Sequence, residues 1–280
     1  MDKIKIVTDS TVDLSKKEIE QYDIEVVPLS IMIDGETFLD GIDITPKQFI
    51  ERMTASSELP KSSQPAAGQF VKVYERYINQ GYDIISIHMT GGMSGTVRSA
   101  ESAAEMVEGN VKVIDSMYIS KALSFQVIEA AKMAQAGKTV EEIVKRTEDI
   151  RKNTSLYVVV DTLENLIKGG RIGRGKAFIG SLLNIKPIAS LEGGVYTPEA
   201  KMRSHSQVVK YLKKRFEEET AGKTVKGIGL VHAEGLELAE KIKQSLMNTN
   251  GYIDFPIAYT TPVISTHTGK GAIGFMYYAD

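Results

Sequence analysis

Short β-branched runs alternate with helix-patterned stretches along this chain, and that alternation constrains the fold more than any other feature. Ile4 to Val7 breaks into the polar segment Thr8-Asp9-Ser10-Thr11, and Ser15 with Glu18 three residues on makes a capping-box signal for a helix. The grammar repeats. Strand-like runs at Ile24 to Val27, Asp83 to Met89 and Val111 to Ile114 alternate with helical stretches at Phe70 to Ile78, Thr96 to Val107 and Ala122 to Ala134. Such a chain buries its strands in a largely parallel sheet covered by helices, so the fold class is α/β. One segment departs from the rhythm. Leu29 to Asp40 reads as two short strands around Asp34-Gly35, and a helix opens at Thr45-Pro46 with Gln48 at its third position, so about 29–57 is expected to be a small hairpin insertion.

The chain has 280 residues, which at roughly 150 per domain favours two domains. Thr139 and Glu142 start a helix that runs to about Arg151 and leads into a strand over Leu156 to Val160, which places the boundary between 1–155 and 156–280. The second half has a different grammar. Ile185 to Leu191 and Val195 to Met202 flank Glu192-Gly193-Gly194 as a hairpin, and a helix follows from Ser206 to about Glu219. Strands at Gly227 to His232 and Ile253 to Tyr259 bracket a helix near Leu236 to Met247, and the chain closes on a strand from Ala272 to Tyr278. This half is expected to be mixed α+β.

Composition excludes several functions. With 34 basic and 36 acidic side chains the formal charge is −2, so generic attraction to nucleic acid or anionic membrane is not expected. No helix-turn-helix or basic stripe supports a regulatory DNA-binding role. The absence of Cys rules out disulfides, thiolate metal sites and Cys nucleophiles, and four scattered His do not suggest a metal centre. No apolar run approaches the ~18 residues needed to span a bilayer, and the polar start MDKIKIVTDST reads as cytoplasmic. No metal or cofactor is called for.

Three motifs come close to known chemistry. Gly170 to Lys176 has the spacing of a phosphate-binding loop, but Ala177 supplies no hydroxyl for Mg²⁺ and the preceding Leu163 to Lys168 looks helical, so a mobile basic loop is the better reading. Gly269-Lys-Gly271-Ala-Ile-Gly274 matches a dinucleotide pattern, yet too little chain follows it for a βαβ unit. Gly92-Met93-Ser94-Gly95-Thr96 nearly matches a nucleophile elbow between a strand and a helix. Ser94 with the distant His267, and Asp115 or Asp161 as third member, gives the order of a Ser-dependent lipase or esterase, although His267 falls in the other domain. The same residues suit an anion: backbone N–H groups and small hydroxyls converge at Thr90 to Thr96, where a helix begins. Ser62-Ser63-Gln64-Pro65 is a second such place, its serines read at or just before an N-cap, and ordinary capping competes at both.

These residues carry a resemblance. Thr8-Asp9-Ser10-Thr11-Val12-Asp13-Leu14, Ser62-Ser63-Gln64-Pro65, Ser94-Gly95-Thr96 with Ser99-Ala100, Gly169-Gly170-Arg171-Ile172, and the run from His267 to Gly274 together resemble the DegV family of fatty-acid-binding proteins over essentially the whole chain. The resemblance implies two α/β domains with a long-chain fatty acid between them, handed to a separate ATP-dependent fatty acid kinase catalytic subunit, the binder itself not being the catalyst. It implies that Ser62, Ser94 and Gly95 hold the carboxylate with His267 nearby, and that Arg171 and Arg203 serve the kinase encounter. Ser62 stands where Thr is usual, which keeps the hydroxyl but frees its rotamer, and Lys270 stands where Pro is usual.

A buried carboxylate needs donors to replace its water, and an acyl chain needs an apolar tunnel. Ile31, Ile33, Phe178, Ile179, Leu182, Leu183, Ile188 and Ile264 are the candidate wall residues, plain core being the competing reading for each. His88, at a strand end, is expected to pack structurally. Asp9 and Ser10 sit where open α/β sheets bind ligands, with loop stabilisation as the alternative.

Overall fold

The capping signals are satisfied in the structure, a computed structural model that describes residues 3–178, 185–247 and 255–280. Ser15, Thr45 and Thr139 each accept from the backbone N–H three residues on, while Glu18, Gln48 and Glu142 reach back to the cap. The first half runs β1 (Lys3–Asp9), α1 (Lys16–Gln21), β2 (Glu25–Val27), β3 (Ser30–Ile33), β4 (Glu36–Leu39), α2 (Pro46–Ala55), β5 (Lys61–Ser63), α3 (Ala67–Ile78), β6 (Tyr82–His88), α4 (Thr96–Ala104), β7 (Val111–Asp115), α5 (Ser120–Gln135) and α6 (Val140–Lys152). The second runs β8 (Thr154–Val159), α7 (Glu164–Lys168), β9 (Lys186–Ser190), β10 (Thr197–Met202), α8 (His205–Thr220), β11 (Val225–His232), α9 (Leu236–Met247), β12 (Ile257–Tyr259), α10 (Pro262–Thr268) and β13 (Ile273–Ala279).

Three sheets result. The first, ordered β2-β1-β6-β7, is parallel throughout, as the alternating grammar requires. The second, ordered β10-β9-β8-β13-β11-β12, is antiparallel except for β11 with β12. The hairpin β3-β4 gains a third strand, β5, which pairs Ile31 with Ser62. Ser62 and Ser63 therefore lie in a strand and not at a helix N-cap; α3 starts later, with Ala66 as its cap residue and the Gln69 side chain on the Ala66 N–H. The pairing joins residues about thirty positions apart, which local pattern does not encode.

Helix α5 lies between the two large sheets, packed on β1 on one side and on β11 and β13 on the other. Ala122, Leu123, Val127, Ala130 and Ala131 are buried, so it is apolar on more than one face. Gly227 and Gly229 of β11 permit the close approach: a Cβ on Gly229 would stand 2.4 Å from Lys121 Cβ, and one on Gly227 2.9 Å from the Phe125 ring. The central core runs from Ile6, Ile85 and Ile87 through α5 to Leu156, Val158 and Met276, and takes in Ile31, Ile33 and Phe49 of the hairpin unit. Separate clusters seat α3 and α4 on the outer face of the first sheet, and α8 and α9 on the outer face of the second.

The basic stretch before residue 178 is not a free loop. Lys168 ends α7, Gly173–Phe178 forms a 3-10 turn, and the Arg174 N–H donates to the Tyr196 carbonyl at 2.9 Å. Gly173 and Gly175 press on the Tyr196 backbone and ring, where a Cβ would come within 2.9 and 2.7 Å. No helix among the described residues is long and apolar enough to cross a membrane.

Candidate functional site

In the first sheet the strand order reverses between β1 and β6, and open α/β sheets bind ligands at the carboxyl ends of strands beside such a switch. A cavity of about 330 Å³ opens there. Met89, Met93 and Ser94 follow β6; Leu29, Ser62, Ser63 and Gln64 come from the hairpin unit; Val158, Leu166, Arg171, Leu191 and Tyr196 come from the second half, with Val263, Ile264, His267 and Thr268 of α10 and Ile119 closing the wall. The volume falls in the range of roughly 300–1,000 Å³ usual for small-molecule sites. Its walls are mainly apolar, and its polar groups are few.

The polar groups that meet at its mouth come from four distant segments, at Ser62, Ser94, Arg171 and His267. Ser62 Oγ lies 2.7 Å from His267 Nε2. The His267 Nδ1 is buried without a partner among the described residues, and the ring presses on Gly169, where a Cβ would stand 2.5 Å from Nδ1. Burial, then the neighbouring charge of Arg171, lowers the imidazole to about 4, so it is neutral at pH 7. A neutral imidazole has one N–H, and the Ser62–His267 pair can therefore turn a donor toward an anion without adding charge.

Arg171 supplies the charge. Its Nε donates to the Met93 carbonyl at 3.1 Å and its Nη1 to the Gly169 carbonyl. Among the described residues no carboxylate pairs with it, so a cation without a counter-ion lines the cavity beside His267. Ser94 Oγ, half-buried, shares a 2.8 Å hydrogen bond with Thr96 Oγ1 and accepts from the Thr96 N–H at 3.3 Å. Gly95 is the N-cap residue of α4, and the Gln64 amide covers it, donating to the Gly95 carbonyl and to Ser99 Oγ. A small acidic headgroup fits this set of one cation, two hydroxyls and a neutral imidazole.

The sequence-derived positions divide accordingly. Ser62, Ser94, His267 and Ile264 line the cavity, with Gly95 next to Ser94 but not in the wall. Arg171, expected on a partner surface, also lines it; Arg203 is exposed before α8, its N–H donating to Gln207 Oε1. Ile31, Ile33 and Phe178 are packed in the central core away from the wall. Ile188 faces α8 and α9 on the opposite side of its sheet, because strand side chains alternate. Ile179, Leu182 and Leu183 lie outside the described residues. Leu29, Met89, Met93, Ile119, Val158, Leu166, Leu191, Tyr196 and Val263 were not anticipated, although Met89 and Leu191 directly follow strands and the carboxyl-end rule points at such positions.

A Ser–His–Asp chain does exist elsewhere. Asp9 Oδ2 lies 3.1 Å from His88 Nδ1, His88 Nε2 lies 2.6 Å from Ser86 Oγ, and Ser86 accepts from the Tyr74 hydroxyl at 2.8 Å. All four residues are fully buried, so this relay holds the core together and meets no substrate. Asp9 also accepts from the Thr11 and Met89 N–H groups, and Ser10 Oγ accepts from the Leu29 N–H. Ser94 has no His within hydrogen-bonding distance among the described residues; Asp115 accepts from Gly91 and Met117 N–H, and Asp161 pairs with Lys186.

The close approach of Gly169 makes a test. Gly169→Ala is expected to push the His267 ring off Ser62, shifting its NMR resonances and costing about 1–3 kcal/mol of stability in urea unfolding. Unchanged ring shifts and stability would contradict the contact.

The model of the family described as "Uncharacterised protein, DegV family" matches residues 3–280. The chain belongs to the DegV family. A DegV domain-containing protein of Listeria innocua is 49% identical over 281 residues, covering 100% of each chain. Among solved structures, DegV of Bacillus subtilis, described as a fatty acid binding protein, is 34% identical with a TM-score of 0.91, covering 100% of both chains. A DegV family protein from Thermus thermophilus, described by its fatty acid binding, superposes with a TM-score of 0.94 at 29% identity, covering 99% of this chain and 100% of its own. The two-domain α/β architecture is that of the DegV structures, and these two relatives bind fatty acids.

Proposed function

We propose that this chain binds one long-chain fatty acid in the seam cavity, with the carboxylate at Ser62, Ser94, His267 and Arg171 and the tail along Ile264, Val158 and the neighbouring apolar wall. The observation that carries the reading is Arg171: a cation with no counter-ion among the described residues, opening onto an apolar slot, calls for a ligand that is an anion at one end and oil at the other. About fifteen methylenes at ~0.8 kcal/mol each give on the order of 12 kcal/mol of gross transfer free energy, enough to offset ordering costs. The fatty acid binding of the Bacillus subtilis and Thermus thermophilus relatives supports the same reading.

With its carboxylate held among polar groups at one end, the acid can be presented to a separate ATP-dependent fatty acid kinase that forms the acyl phosphate, and the binder needs no cofactor or metal of its own. To the encounter with that kinase we assign Arg203, which is exposed, and the basic turn of Arg174 and Lys176, in which Arg174 pairs with Glu192 at 3.4 Å. The role is that of a non-catalytic carrier in the cytoplasm.

Native mass spectrometry of protein purified from cells tests the reading, with the added mass of a C16 or C18 acid as the expected result. Ser62→Ala and Ser94→Ala should each weaken binding by about 1.5–3 kcal/mol, the worth of a hydrogen bond to a charged group. Clean protein without lipid, together with turnover of p-nitrophenyl esters that Ser94→Ala abolishes, would replace the carrier by a hydrolase.

A further inference from the structure

Helix α10 carries His267 and three further residues of the cavity wall, yet it belongs to the second half of the chain. Its N-terminus is held by the first half. Asp13 Oδ1 accepts from the Thr261 N–H at 2.9 Å, and Asp13 Oδ2 accepts from the Thr260 hydroxyl at 2.8 Å and from Ser120. Asp40 Oδ1 accepts from the Val263 N–H at 3.1 Å. Pro262 between them has no N–H, so the two carboxylates take the backbone donors on either side of it. Among the described residues Asp40 Oδ2 is buried with no hydrogen-bond partner, which penalises the ionised carboxyl more than the neutral one.

We propose that Asp13 and Asp40 are positioning residues that lock α10, and with it His267 and the Val263–Ile264 wall, to the first half while the pair keeps a proton, and that loss of this proton loosens the wall. The proposal rests on the fatty-acid reading of the cavity for its consequence, exchange of the acid.

The direction follows from burial. It raises both carboxyls above the 3.8 of a solvated Asp: Asp13 to about 6, against the hydrogen bonds from Ser120, Thr260 and Thr261 and the charge of Lys121, and Asp40 to about 7, against the Ser10 hydroxyl and the Val263 N–H and with the like charges of Asp13 and Asp9 adding. A seam that opens to water returns these groups toward 3.8, so the closed form binds the proton more tightly than the open one. The closed form is therefore favoured at lower pH and loses that advantage as pH rises through 6 to 7. Other charges are accounted for. Lys121 is shared with Glu18 at 3.9 Å, and Asp9 is tied to His88. The elements packed on α10, which are α2, α7, β3 and β5, add Asn165 on the Thr266 carbonyl and Ser62 on His267. His267 itself stays neutral through this range.

One proton released near neutrality changes an opening equilibrium about tenfold between about pH 6 and about pH 8. The release rate of bound cis-parinaric acid is expected to rise by about that factor across the range in the wild type. Asp40→Asn, which mimics the protonated carboxyl, should release slowly and without pH dependence, and Asp13→Asn should flatten the profile in part. A second readout needs no acid and no variant: hydrogen exchange of the α10 amides in the ligand-free wild type, corrected for intrinsic rates, should lose protection over the same range. Flat exchange in the wild type, or an Asp40→Asn profile that follows the wild type, overturns the latch. Should the chain bind no acid while exchange shows the profile, the latch stands and the fatty-acid reading falls.

Discussion

Arg171→Ala should abolish tight binding of a fatty acid while leaving the fold intact. The guanidinium makes its two hydrogen bonds to carbonyls, at Met93 and Gly169, so its removal unpairs no carboxylate in the ligand-free protein. In the complex it would leave the acid's charge in a slot whose other donors are neutral, and losing one partner of such a buried pair costs about 2–5 kcal/mol. The dissociation constant is expected to rise by about thirty-fold or more, measured by displacement of a fluorescent acid or by calorimetry. Arg171→Lys should recover only part of the loss, because an ammonium cannot replace a planar fork held from two sides. The experiment also separates two assignments of this residue. If Arg171 served only the encounter with a partner kinase, acid affinity would be unchanged and only acyl-phosphate formation in the reconstituted pair would fall.

The largest loss of stability is expected from Asp9→Ala. Asp9 accepts from the Thr11 N–H at 3.0 Å, the Thr11 hydroxyl at 2.7 Å and the Met89 N–H at 2.8 Å, and lies 3.1 Å from His88 Nδ1. The substitution strands these donors where no water reaches, a cost of about 3–5 kcal/mol, read as a lower midpoint of urea unfolding with little change in slope. Asp9→Asn should recover only part of it, since an amide oxygen replaces one of the two acceptors. Burial alone would raise the Asp9 carboxyl, but the hydrogen bond and charge of His88, with Thr11 and Met89, outweigh it and hold it below 3.8. Stability from this group is thus present above that unfolded value and lost as pH falls through the lower folded one. An Asp9→Ala protein that unfolds at the wild-type midpoint at neutral pH would refute the relay's structural role.

What the sequence made legible is what short-range chemistry specifies. Ser15, Thr45 and Thr139 start helices because a hydroxyl and a carboxyl or amide three residues apart satisfy each other's backbone, and that needs no tertiary contact. The runs that became β1, β6 and β8 were visible from their β-branched residues. The strand status of Ser62 was not, because it depends on pairing with Ile31. Strand faces were equally hidden. Ile188 and Leu191 are both apolar and close in sequence, yet one packs under α8 and the other lines the cavity. Ser62, Ser94 and His267 came into view as a set only through the family resemblance, since nothing local says that residues so far apart meet. Arg171 was legible as a basic residue among glycines but not in its direction, which is set by the carbonyls it finds after folding.

The position of α5 bears on how the chain can be divided. By sequence this helix belongs to the first half, yet Gly227 and Gly229 thin the second sheet so that Lys121 and Phe125 lie against its backbone. Severing the polypeptide near residue 155 would strip that strand of its cover and leave each fragment with a raw apolar flank. Chimaeras that exchange C-terminal halves between relatives therefore have to keep both faces of α5 matched, the one on β1 and the one on β11 and β13.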